Sequence, residues 1–455
     1  MKRFSRVTAL GLLALGGCDP DITPPEPPPT PTIDARLRQA FTPYGAIPIG
    51  PMPAQSAAQV ELGQALVFDK ILSGNRDISC ATCHHPSTHG TDGLSLAIGT
   101  GGIGLGADRT LGPGRQFVPR NAPTMLNQGL RPFYLFWDGR LEGFGAGPFV
   151  AQPDGPFLSG VPSILAAQAM LPVLNRREMR GDSGEADVFG NPNELAAISD
   201  SQPGLVWQAV MQRLLAIPEY QSKFAAAFPS VGPLSFQHAA TAIAAFLTQS
   251  FTKYDSPFDR YLAGDNTALT LEAKRGGLLF FGRAQCVTCH SGALLGGDGF
   301  ANTGVPQLGP GTGTGAPLDL GRADVINQLQ GPPNFYRFAF RAAPLRNVEL
   351  TSPYMHNGAF ATLEAVVSHY NDVPTALRTY DVSQLSPALR DTYHGDAATI
   401  SDVLSTLDFR LRTSFRLTDQ EQRDLVTFLK SLTDPAARDL TSLVPASVPS
   451  GLAVN

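Results

Sequence analysis

Cys80, Cys83 and His84 form one Cys-x-x-Cys-His motif, and Cys286, Cys289 and His290 form a second. This spacing suits covalent haem attachment. Two thiols can add to the vinyl groups of a haem, and the adjacent histidine then lies under the ring as an iron ligand. The competing readings are weaker. A four-thiolate zinc site needs its pairs much closer in sequence, and neither zinc nor a disulfide explains the histidine that trails both pairs. The expected cofactors are therefore two c-type haems, one on His84 and one on His290.

The chain must fold so as to present each motif on a short turn. Glu61–Asp69 and Lys274–Gly282 precede the two motifs and resemble each other, with apolar residues such as Leu62 and Leu66 at near-helical spacing. This predicts a duplicated cytochrome c module: a helix, the attachment turn, long loops and a closing helix. Thr418 and Glu421 are spaced as a capping box, predicting a helix that carries Leu425, Phe428 and Leu429 on its apolar face. The stretch 238–248 reads as a buried helix opening the second domain. The expected fold class is all-α, two cytochrome c-like domains with long loops. Glycine-dense 99–114 must be loop.

The fifth cysteine bears on location. Lys2, Arg3 and Arg6 precede a short apolar run that ends in Leu15-Gly16-Gly17-Cys18. Residues 1–17 read as a bacterial lipoprotein signal peptide, with Cys18 as the lipidated N-terminus. The run is too short for a permanent membrane span. Residues 18–33 are rich in proline, which favours an extended tether. Removing the three signal-region cations takes the net charge from −5 to −8. No basic run suggests nucleic acid. About 420 residues remain after the tether, enough for two domains. They are read as 34–235 (N-terminal), 236–440 (C-terminal, its last helix free to pack on the first domain) and a tail, 441–455.

Beyond the haem motifs, the chain carries Leu94–Gly99 (LSLAIG), Arg120–Thr124 (RNAPT), Phe136–Arg140 (FWDGR), Ser256–Tyr261 (SPFDRY) and Leu345–Thr351 (LRNVELT). With these, residues 61–434 resemble the bacterial dihaem cytochrome c peroxidases and their relative MauG. The resemblance implies roles residue by residue. Trp137 would lie between the haems. Gln168, Pro172 and Glu178 would form the pocket over the first haem, with Glu178 as proton shuttle. Asn121, Thr351 and Pro353 would hold a calcium ion through oxygen donors. His356 matches an interface histidine of open role. Segment 141–163 reads as an inserted loop near the pocket.

Two departures matter most. Many members place a histidine after the LSLAIG stretch, as sixth ligand of the resting first haem. Here the position is Thr100, a poor iron ligand, so this haem should be open. His85 and His89 are the nearby histidines. The second haem's sixth ligand is a methionine in the peroxidases and a tyrosine in MauG; the matching position is Tyr370, with His369 and Met355 as alternatives.

The resemblance implies a peroxidase that reduces hydrogen peroxide to water at the first haem. Electrons would come from a small periplasmic donor protein, a cytochrome c or cupredoxin, through the second. The alternatives are a MauG-like oxidase, using a high-valent dihaem state against a protein or organic substrate, and a non-enzymatic dihaem electron-transfer cytochrome. The expected place is the periplasmic side of a bacterial membrane, anchored through Cys18 or otherwise free in the periplasm. A homodimer is left open.

Overall fold

The computed structural model describes residues 31–130, 133–143, 147, 149–151, 157–326 and 335–454. The residues read as a signal peptide, Cys18 and most of those read as a tether lie outside them. The helices that position the site are α1 (Ile33–Phe41), α2 (Ala57–Phe68), α3 (Cys80–Cys83), α4 (Ile164–Ala169), α5 (Phe236–Phe251), α6 (Leu271–Phe280), α7 (Leu363–Asn371) and α8 (Asp419–Lys430). The molecule is mostly helical, with long connecting loops and a minor sheet. Among the described residues, no helix is long and apolar enough to cross a membrane.

Two large apolar cores organise the chain. In the first, α2 crosses α5, and Leu62, Leu66 and Phe68 pack among Ala239, Ile243 and Phe246. In the second, α6 crosses α8, and the Phe428 ring meets Phe258, Phe280 and Phe281 edge-on or tilted. Both crossings depend on a glycine at the same place in the repeated stretch. A Cβ on Gly63 would sit 2.0 Å from the Ala242 carbonyl oxygen, and one on Gly276 would sit 2.0 Å from that of Asp424. The duplication seen in sequence is thus a duplicated helix crossing. The predicted capping box is present: Thr418 Oγ1 accepts from the Glu421 N–H, and Glu421 accepts from the Thr418 N–H at 2.9 Å.

The two cores do not follow the division at residue 235. Helix α5, read as opening the second domain, is the closing helix of the first core, because its alanine-rich face lets α2 approach. Helix α1 lies on the second core through Leu37 and Phe41. There the Lys274 ammonium pairs with Asp34 at 2.7 Å, and Arg38 donates to the Tyr261 carbonyl. It is not α8 that returns to the first core but the segment after it, through Ala437, Leu440 and Val448. Ser450 Oγ donates there to the buried Asp69 carboxylate at 2.6 Å.

The segment read as an inserted loop is partly sheet. Strands β1 (Tyr134–Leu135), β2 (Leu141–Glu142), β3 (Phe149–Ala151) and β4 (Phe157–Leu158) form an antiparallel meander. Leu135, Leu141, Phe149 and Leu158 bury into the first core. Phe136–Arg140 is the loop of the β1–β2 hairpin. A second small pair, β5 (Phe300–Ala301) and β6 (Phe340–Arg341), lies opposite it.

Candidate active site

Two cavities, of about 580 and 480 Å³, hold the chemistry-bearing residues. Both fall in the range of cofactor pockets. Cys80, Cys83 and His84 line the first, and Cys286, Cys289 and His290 line the second. Burial pushes the thiols up, Cys80 to about 11 and Cys286 to about 12, so free thiols here would stay protonated. His84 Nδ1 bonds the Gly90 carbonyl at 3.0 Å, and His290 Nδ1 bonds that of Ala343 at 3.0 Å. Burial also lowers both imidazoles below their ordinary value, keeping them neutral. A neutral ring anchored by Nδ1 has Nε2 to offer as a ligand. The residues present therefore fit a c-type haem in each cavity.

Gln168, Pro172 and Glu178 all line the first cavity. Gln168 comes from α4, whose N-terminus is capped by the Ser163 hydroxyl. Glu178 sits on a widened helical turn, Arg176–Arg180, that Asn175 begins. The Asn175 amide donates to Glu178 Oε1 at 3.1 Å, while its Oδ1 accepts the N–H groups of Arg177 and Glu178. Three successive carbonyls of this turn are tied down. Glu178 accepts from the Thr100 N–H at 2.8 Å, Met179 from the Gly74 N–H at 2.7 Å, and Arg180 from the Asn193 amide at 2.8 Å. Gly74 and Gly99 make room for it: a Cβ on either would lie 1.9 Å from the carbonyl oxygen of Arg180 or Arg177 respectively. Burial raises the Glu178 carboxyl above its ordinary range, and Arg140 partly offsets this. A carboxyl so placed can both take and return a proton.

Thr100 does not line that cavity. Its hydroxyl donates to Asp77 at 2.8 Å and accepts from Asn75 at 3.2 Å. His85 is occupied by Ser87, and His89 by the Ala437 carbonyl, so neither reaches the first cavity.

Trp137 and Asn121 line both cavities. The indole N–H donates to the Asn121 carbonyl at 2.9 Å. The hairpin loop is gripped from the other half of the molecule. Arg341 donates to the carbonyls of Phe136 (Nε, 3.2 Å) and Trp137 (backbone N, 2.8 Å), and Arg322 to those of Asp138 and Gly139. Beneath it, Arg120 bridges two buried carboxylates, Asp138 and Asp319. Burial alone would raise Asp138; the Arg120 and Arg140 guanidinium groups instead hold it down to about 2.

In the second cavity, Tyr370 and Met355 line the wall, but His369 does not. Nε2 of His369 bonds the Thr303 carbonyl at 2.9 Å, which turns the ring away from this cavity. Burial raises the Tyr370 phenol, so a nearby cation would have to drive its ionisation. Asn121, Thr351 and Pro353 also meet at this cavity. Asn121 spends its amide N–H on the Leu94 carbonyl, leaving its Oδ1 to offer. Among the described residues no three His, Cys, Asp or Glu side chains form a metal-binding group. Any calcium here would rest on neutral oxygens.

Sequence reasoning missed Asn175, Arg322 and Arg341. Asn175 had a local signal, a capping residue before the Glu178 turn. The two arginines had none, because they act across the seam between the halves.

A family model described as di-haem cytochrome c peroxidase matches residues 57–267. The chain is 34% identical over 314 residues to cytochrome c551 peroxidase of Pseudomonas aeruginosa, spanning 69% of this chain and 71% of that one. It is 29% identical over 412 residues to methylamine utilization protein MauG of Methylorubrum extorquens, spanning 90% and 88%. Among solved structures, a MauG-like protein associated with microbial copper homeostasis aligns with a TM-score of 0.57 at 27% identity, over 87% of this chain and 95% of that one.

Proposed function

Because the chain belongs to the di-haem cytochrome c peroxidase and MauG family of oxidoreductases, we propose that it reduces hydrogen peroxide to water in the first cavity, with electrons relayed through the second. The observation that carries this reading is Glu178 and Gln168 on the wall of a cavity that Thr100 leaves open. The two haems, when bound, supply the redox chemistry. Each peroxide takes up two electrons and two protons and leaves as two waters. Glu178 would take a proton from one peroxide oxygen and return it to the other, as base and then acid. Gln168 donates a hydrogen bond that holds the peroxide in place. Trp137, touching both cavities, offers the route for electrons between them. A small periplasmic redox protein is the proposed donor. Asn121, Thr351 and Pro353 are the proposed calcium ligands, and Cys18 the proposed lipid anchor on the periplasmic side of the membrane.

One observation favours a second reading. Tyr370 lines the second cavity where the peroxidases carry methionine. A phenolate ligand disfavours easy reduction, which suits a MauG-like enzyme that retains oxidising equivalents for use on a protein or organic substrate. The deciding experiment adds peroxide to the oxidised dihaem protein with and without a reduced cytochrome. Rapid oxidation of the cytochrome over many turnovers supports the peroxidase. A long-lived oxidised state that the cytochrome discharges slowly supports the second reading. No reaction with peroxide refutes both.

A further inference from the structure

Arg341 ends strand β6, and its side chain lines the second cavity while only 8% exposed. Its Nε and backbone N–H are committed to the Phe136 and Trp137 carbonyls. Among the described residues, no hydrogen bond or ion pair takes up its two Nη groups. Burial brings its pKa down to about 10, with Asp298 and Asp138 offsetting only part of the cost. A second polar group faces the same space. His356 is 2% exposed, and its ring stacks on Phe340 with centroids 3.5 Å apart. Its Nε2 is buried without a partner. A neutral imidazole can donate a single N–H.

A guanidinium with two spare N–H-bearing nitrogens and a neutral imidazole N–H make a receptor for a carboxylate. A haem brings carboxylate side chains of its own. We propose that Arg341 and His356 hold a carboxylate of the second haem, making Arg341 the positioning residue that fixes this haem relative to Trp137. The same guanidinium would then bond the haem edge on one side and the backbone of the tryptophan loop on the other. The proposal rests on a haem occupying the second cavity, and not on the choice between the peroxidase and oxidase readings.

The test compares Arg341→Gln, Arg341→Lys and His356→Phe in the full dihaem protein, with haem content checked by absorbance. The readout is the midpoint potential of the second haem as a function of pH. Arg341→Gln should lower that potential and make it fall as pH rises, because a buried carboxylate without its counter-ion begins to titrate. Arg341→Lys should keep the potential near that of the unaltered protein, and His356→Phe should shift it down by less than Arg341→Gln. Potentials unmoved by Gln, or moved equally by Gln and Lys, overturn the proposal. Should Arg341→Gln fail to accumulate, His356→Phe decides alone: a downward, pH-dependent shift supports the proposal and an unchanged potential overturns it. A protein lacking the second haem altogether would instead defeat the family-based reading, which absorbance distinguishes at the outset.

Discussion

The backbone N–H of Thr100 donates to the carbonyl oxygen of Glu178 at 2.8 Å. The residue read as replacing a distal histidine is thereby a support for the turn that bears the carboxyl. Its hydroxyl points to Asp77 and Asn75 on the far side from the cavity.

The first haem is therefore expected to be high-spin in the fully oxidised protein, and to react with peroxide without prior reduction. Electron paramagnetic resonance and optical spectra check this. Two low-spin ferric signals at rest would mean that some other side chain closes the pocket.

Glu178→Gln keeps the shape of the side chain and removes its proton chemistry. Peroxide turnover should fall by roughly 10²–10⁴-fold, the usual contribution of general acid–base catalysis. The raised carboxyl also sets a sign for pH. The ionised form is the base, so the unaltered enzyme's rate should climb as pH rises through a value above the ordinary glutamate range. That climb should vanish in the variant. Stopped-flow rates across pH measure both, and an unchanged rate would leave Glu178 a structural residue.

Tyr370→Met is expected to raise the potential of the second haem and speed turnover with a reduced cytochrome, since a thioether favours the reduced metal and a phenolate the oxidised one. Oxidising equivalents left by peroxide should then be shorter-lived. A redox titration and peroxide mixing read the two effects. A second-haem spectrum indifferent to the substitution would move attention to Met355, which lines the same wall.

Arg120→Met should cost about 3–5 kcal/mol of stability, because removing one member of a buried ion cluster strands the charges left behind. Here Asp138 and Asp319 would be stranded under the tryptophan loop. Chemical unfolding gives the loss. The variant should also become relatively more stable as pH falls and the two carboxyls protonate. A loss under about 1 kcal/mol would show that the site relaxes around the vacancy.

Much of the site was legible because its parts are local. Each haem motif fits in five residues, and Gln168, Pro172 and Glu178 lie within eleven. The capping box at Thr418 was legible for the same reason. The strands of the meander were not, because segments of two or three residues carry no periodicity to detect. The packing of α1 on the second core and of residues 437–448 on the first was also hidden. Such pairing joins segments hundreds of positions apart, and their apolar residues look alike whichever core receives them. The grip of Arg322 and Arg341 on the tryptophan loop was silent for that reason too.

The crossing of the chain's two ends has a consequence in time. Helix α1 is synthesised first, yet its partners Tyr261 and Lys274 come more than 200 residues later. The first core is not complete until Ala437 to Ser450 arrive to meet His89 and Asp69. These closing contacts join segments far apart in sequence, and contacts of such long separation form slowly. The fastening of the two ends is therefore a late step in folding. A haem delivered to either Cys-x-x-Cys-His segment before that step would meet a molecule whose two ends are not yet fastened.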